Sequence, residues 1–169
     1  ADDLFALLPD DDIAYSALIL NERGLDRARA AGVREINAVV HCTDTFSNRN
    51  QGTDIAGGIE IWKNIARTAR EAGITANLTI AVAFGCPFEG EVPVDVLRKV
   101  LDGVLSEPPT ELSLADTIGV GVPIDVRERF AVAAEMVPAG TALRAHFHDT
   151  RALGIANALT AVESGVTIL

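Results

Sequence analysis

Two histidines close the run Arg144-Ala145-His146-Phe147-His148-Asp149-Thr150, and their spacing is a statement about direction. In an extended strand side chains alternate between faces, so Arg144, His146 and His148 share one face while Leu143, Ala145 and Phe147 share the other. The apolar face calls for a covering helix layer. That leaves the imidazoles side by side on the opposite face at the C-terminal end of the strand, with a carboxylate and a hydroxyl just beyond. Neutral imidazole is the commonest metal-binding side chain, so the pair is a candidate for half of a divalent-metal site. Two hydrogen-bonded structural histidines are the plain alternative. Asp149 suits an orienting or capping role better than ligation.

Comparable polar stations follow the other apolar runs. Asp116-Thr117 succeeds Glu111–Ala115, the turn Gly85-Cys86-Pro87-Phe88-Glu89-Gly90 succeeds Ile74–Phe84, and the hydroxyl- and amide-rich loop Thr43–Thr53 succeeds Glu35–Cys42. Each has a structural reading beside the functional one: Asp116 as a cap or loop acceptor, Cys86 as a buried thiol, His41 as a strand cap. Parity also places Arg144 below the histidines, where Leu112 and Leu114 leave Glu111 on the matching face. An interior Arg144–Glu111 ion pair is therefore expected, because an unpaired interior charge is costly.

The elements that must position these groups alternate along the whole chain. The β-compatible run Ile13–Leu20 is followed at Asn21 by a helical patch that Gly32 closes; Asp54 caps a long helix with Ile55, Ile59, Trp62, Ala66, Ala69 and Ala72 on one stripe, which makes Trp62 core. Pro93 and Pro123 sit where a first helical turn tolerates proline, opening helices with Val94, Leu97, Leu101 and Val104, and with Val126, Phe130, Ala133 and Val137, on their buried faces. A last helix runs from about Ala152 to Ser164, and Gly165 precedes a β-like stub. Strand, polar loop and helix recur at intervals of roughly 30 residues, the signature of parallel βα units. No Gly-x-Gly-x-x-Gly follows the first strand, and Gly119-Val120-Gly121 lacks the third glycine, so a dinucleotide fold loses its main signal. Residues collected from the C-terminal ends of several strands are the habit of closed eight-fold barrels.

Composition narrows the partners. The 169 residues carry a formal net charge of −10 and a pI near 4.6, which argues against nucleic-acid binding. Apolar runs are short and no basic leader opens the chain, so membrane insertion is not expected and a cytoplasmic setting is the default. Cys42 and Cys86 form no Cys-x-x-Cys pair and read as reduced thiols.

Four blocks taken together, Thr43–Asn50, Gly85–Gly90, Ser113–Gly121 and His146–Thr150 with Asn157, resemble the hydroxymethylglutaryl-CoA lyases of the metal-dependent barrel superfamily. The Gly-Cys-Pro-Phe-Glu-Gly turn is the discriminating block, since His-x-His-Asp is shared with isopropylmalate and homocitrate synthases. The resemblance implies an α/β fold, a partial (β/α)8 TIM barrel spanning about strands three to eight, as one incomplete pyruvate carboxyltransferase-like catalytic domain over 1–169. It implies cleavage of 3-hydroxy-3-methylglutaryl-CoA to acetoacetate and acetyl-CoA, a divalent metal (Mg2+ or Mn2+), an acyl-CoA substrate, a homo-oligomer as one assembly option, and a place in leucine degradation and ketone-body metabolism. It assigns His146 and His148 as metal ligands, His146 and Asp116 as catalytic groups with Asp116 the acid–base or substrate-orienting carboxylate, and Ser113 and Thr117 as substrate-binding residues.

The family's opening strand carries an Arg-Asp pair and a glycine-rich loop after its eighth strand carries a catalytic cysteine and an asparagine ligand. These 169 residues are expected to lie between those two segments and to be inactive by themselves; neither Cys42 nor Cys86 takes that cysteine's role. A Claisen-type synthase is the nearest alternative. A two-histidine iron oxygenase fits the ligand types but not the βα alternation, and a non-catalytic truncated product is the third reading.

Overall fold

The computed structural model describes residues 2–5, 7–9 and 12–169. A short helix α1 (Asp2–Phe5) leads to β1 (Ser16–Leu18), α2 (Glu22–Ala30), β2 (Glu35–His41), α3 (Asp44–Gln51), α4 (Ile55–Glu71) and β3 (Thr75–Ala81). Then come the small strands β4 (Gly85–Cys86) and β5 (Gly90–Glu91), α5 (Val94–Val104), β6 (Glu111–Asp116), α6 (Pro123–Met136), β7 (Ala142–Phe147) and α7 (Gly154–Glu163).

The main sheet is parallel with the order β1-β2-β3-β6-β7, so each strand lies beside its predecessor in the main sheet. An open doubly wound sheet reverses direction at a switch point; this one does not, which is the progression of a barrel wall. The wall continues past β7, where Ile168 bridges to Arg144 in parallel. β1 stands at the opposite edge and is shorter than the run Ile13–Leu20 suggested, reduced to Ser16–Leu18.

Ladder register sorts the two faces. Ile36, Ala38, Val40, Leu78, Ile80, Leu112, Leu114 and Ala145 point to the helices and are buried. The opposite, inner face is polar and stitched diagonally: Asn77 Nδ2 donates to Glu35 Oε1 (3.0 Å), Asn37 Nδ2 to Thr79 Oγ1 (3.0 Å), and Arg144 Nη1 to Glu111 Oε2 (3.0 Å). The expected Arg144–Glu111 pair is present, but its side chains keep 36% and 24% of their exposure. It is therefore a half-solvated pair rather than a buried one.

Helix ends follow the sequence signals. Asn21 Oδ1 accepts from Gly24 N–H (3.0 Å) and Asp54 Oδ1 from Gly57 N–H (2.8 Å), each satisfying a free amide of the first turn. Trp62 is fully buried, and its Nε1–H is shared between the carbonyls of Val104 (3.1 Å) and Glu107 (3.0 Å). On the same helix Gly58, Trp62, Ile65, Ala66 and Ala69 are buried and Ile55 and Ile59 pack partly buried against the core, whereas Ala72, the C-cap, is exposed. The stretch Thr43–Thr53 is not the irregular loop its composition suggested. It is mostly the helix α3, ended by Gly52 in the left-handed region (φ 73°), and its polar residues fold because the one aromatic, Phe46, stacks between His41 and Phe88.

Candidate functional site

The histidines meet as their parity requires. His146 Nε2 and His148 Nε2 lie 3.2 Å apart, with ring centroids 5.1 Å apart and planes inclined by 58°. Both residues are solvent-accessible at the C-terminal rim of β7. Burial, followed by the neighbouring His148 and then Arg144, holds His146 below the usual imidazole pKa, so the ring is disposed to be neutral. Two nitrogens binding one ion in cis at about 2.1–2.3 Å would stand about 3.0–3.3 Å apart. The observed separation fits that geometry, and it also fits a single hydrogen bond between the rings. Among the described residues no set of three His, Cys, Asp or Glu converges, so these provide two donors and not a full shell.

Asp116 is elsewhere. In the ladder Ala115 pairs with His146 and Asp116 with Phe147, so the carboxylate takes the helix-facing side, away from the imidazoles. It is fully buried, and its oxygens accept the N–H groups of Val120 (3.0 Å) and Gly121 (2.9 Å). The loop-acceptor reading describes this geometry; a proton-transfer position beside the histidines does not. Thr117 Oγ1 accepts from Val82 N–H (2.8 Å), holding a β-branched residue at φ 50°, a conformation that persists only where its surroundings enforce it. Accepting that bond still leaves the hydroxyl its own proton to donate. Ser113 is buried on the inner face beside Arg144, one layer below His146. Asp149 caps α7, accepting from Gly154 N–H (2.7 Å).

Cys86 is a buried thiol whose sulfur accepts from Thr43 Oγ1 (3.1 Å), tying the β4 turn to the end of β2. Cys42 is also buried, and burial pushes its thiol up to about 12. His41 is buried under Phe46 (5.2 Å between centroids); burial lowers its pKa to about 4, a hydrogen bond with Asn50 opposing the shift. Its Nδ1 has no partner among the described residues.

Arg129 escaped the sequence reading. It is buried on α6, with Nε donating to the Ala83 carbonyl (2.8 Å) and Nη2 to that of Val92 (2.8 Å), so it clamps the chain on both sides of the β4–β5 hairpin. The available signal was an arginine lying beside Phe130 within a stripe of Val126 and Ala133, four residues after Asp125.

Parallel βα units advancing one strand at a time, with paired imidazoles at the strand C-termini, define a barrel-enzyme class. Within it the chain belongs to the HMGL-like family, which it matches over residues 6–169, a family of lyase-type enzymes. It is 34% identical over 167 residues to the hydroxymethylglutaryl-CoA lyase of Pseudomonas mevalonii, covering 98% of this chain and 55% of that protein. It is 32% identical over 163 residues to the (R)-citramalyl-CoA lyase of Chloroflexus aurantiacus, covering 96% of this chain and 51% of that protein. The structure of an HMG-CoA lyase from Acinetobacter baumannii in complex with coenzyme A and 3-methylmalate superposes with a TM-score of 0.89 at 30% identity, covering 99% of this chain and 54% of that one. The chain thus spans about half the length of these relatives.

Proposed function

We propose that the chain carries the imidazole half of the centre of a divalent-metal-dependent acyl-CoA lyase, which cleaves 3-hydroxy-3-methylglutaryl-CoA to acetoacetate and acetyl-CoA. The observation that supports it is the 3.2 Å approach of His146 and His148 at the rim where barrel enzymes place their chemistry. Cleaving the carbon–carbon bond requires taking the proton of the tertiary hydroxyl and sheltering an enolate on the departing thioester. Mg2+ or Mn2+ held by His146 and His148 would supply Lewis-acid polarisation of the hydroxyl and a neighbouring carbonyl. Ser113 forms the floor one layer below, and Thr117 offers its hydroxyl at the end of the adjacent strand. Asp116, expected as the acid–base group, enters this reading as the carboxylate that fixes the Val120–Gly121 backbone.

Coenzyme A in the Acinetobacter complex supports an acyl-CoA substrate. The citramalyl-CoA lyase, nearly as similar as the hydroxymethylglutaryl enzyme, favours one second reading: a neighbouring CoA ester on the same centre. We further propose that residues 1–169 form one incomplete barrel domain and give no turnover alone, because the described residues supply two donors and the sheet leaves β1 at an open edge.

The test is acetoacetate release from the CoA ester with Mg2+ or Mn2+, for the chain alone and for the Pseudomonas mevalonii lyase with residues 6–169 grafted over its matching segment. No release is expected from the chain. The graft is expected to cleave, and to stop when either histidine is replaced by Ala. Turnover by the chain alone would overturn the incompleteness; a folded, metal-binding graft that cleaves neither ester would overturn the lyase reading.

A further inference from the structure

We infer that Gly119 is a positioning residue for His148: the turn after β6 is the seat that brings the second imidazole to the first. The inference rests on reading the two histidines as a metal pair. His146 needs no such seat, because it lies inside β7 with Ala115 as its ladder partner. His148 lies beyond Phe147, where the pairing of β6 with β7 ends. What meets the chain there is Gly119.

Gly119 is buried with φ +67°, and a Cβ built on it would stand 2.9 Å from the His148 carbonyl oxygen, 2.5 Å from Thr150 Oγ1 and 2.8 Å from Thr150 Cβ. Real Cβ atoms essentially never come within 3.0 Å of such neighbours, so the His148–Thr150 backbone rests on space that only glycine leaves free. The seat is itself fixed from several sides. Gly119 N–H donates to the Asp116 carbonyl (3.1 Å), and the Asp116 carboxylate holds Val120 and Gly121 (3.0 and 2.9 Å). From α7 the buried Asn157 Nδ2 donates to the Gly121 carbonyl (2.9 Å), and from the turn before α7 Arg151 Nη1 donates to that of Val120 (3.0 Å). A rigid turn anchored in β6 and α7 therefore sets where the strand-end imidazole stands. Asp116 acts on the histidines only through this turn.

Two effects must be separated at position 119, the left-handed backbone and the missing Cβ. Gly119→Ala meets both, whereas Gly119→Asn tolerates positive φ and still carries the Cβ. The readouts are the nuclear Overhauser contact between the two imidazole rings and the affinity for Co2+ by calorimetry, with far-UV circular dichroism reporting the fold. Both variants are expected to lose the inter-ring contact and to bind Co2+ about 10–100-fold more weakly, the range for groups that orient metal ligands. Arg151→Ala, at an exposed residue, removes one tie and should weaken Co2+ about threefold, the equivalent of one net hydrogen bond. Folded Ala and Asn variants that keep the contact and the affinity overturn the inference, as does recovery of both in the Asn variant alone, which would assign the effect to backbone conformation. If the position-119 variants do not fold, an unchanged Arg151→Ala overturns it. Wild-type chain that shows the inter-ring contact yet takes no Co2+ refutes the metal reading, and the seat is then decided by the contact alone.

Discussion

His41 makes folding depend on pH in a direction that can be worked out beforehand. In the unfolded chain its imidazole titrates near 6.5; in the folded chain burial beneath Phe46 lowers that to about 4. Between those values the unfolded state binds more protons than the folded one, so stability rises with pH across the window. The contribution is complete above 6.5 and is lost as pH falls towards 4. A gap of that size is worth about 2 kcal/mol by pH 5 and about 3 kcal/mol by pH 4, from roughly 1.4 kcal/mol per unit. His41→Gln keeps a polar side chain and removes the titration. Urea unfolding of both proteins from pH 7.5 down to pH 5, just above the isoelectric point near 4.6, should show wild type losing about 2 kcal/mol more than the variant. His146, shifted the same way, is common to both proteins and cancels in the difference. Parallel curves would refute the reasoning, for they would mean that His41 is protonated as readily in the folded chain as out of it.

Arg129→Met should destabilise by about 2–4 kcal/mol in urea unfolding, because two buried carbonyls lose a charged donor; a change under about 0.5 kcal/mol would remove Arg129 as the clamp of the hairpin. For Arg144 and Glu111 a double-mutant cycle should give only about 0.2–1 kcal/mol, since both side chains remain partly in water; a coupling above about 3 kcal/mol would show the pair to be buried. Asp116→Asn should weaken Co2+ binding at the histidines without contacting them, because an amide presents one good acceptor where the carboxylate presents two to Val120 and Gly121; calorimetry with unaltered affinity would uncouple the turn from the site.

Much of the fold was legible because period and punctuation agreed. The alternation in β7, the caps Asn21 and Asp54, and the stripe containing Trp62 each state a local requirement that the tertiary structure also needs. α3 was not legible: Asp44–Gln51 has no apolar stripe, and its helix depends on the contact of Phe46 with His41 and Phe88, which distant segments supply. In the site, the His-x-His spacing pointed to the approach of His146 and His148. Parity also carried the information that moved Asp116 off that site, since Asp116 follows Ala115, but the register that pairs Ala115 with His146 is a property of two strands and not of either sequence. Arg129 was hidden for a related reason. An arginine on a helix reads as solvated until the carbonyls of Ala83 and Val92 are known to converge on it.

We propose that His146 and His148 hold one divalent ion together. Co2+ titration of the chain with X-ray absorption at the cobalt edge tests it directly, because imidazole suits such ions better than it suits magnesium. One ion per chain with two imidazole nitrogens at about 2.1 Å is the expected result, and His146→Ala and His148→Ala should each abolish it. Binding of undiminished affinity in either single variant would contradict the account, since the 3.2 Å approach of the two rings would then be only a hydrogen bond between structural histidines.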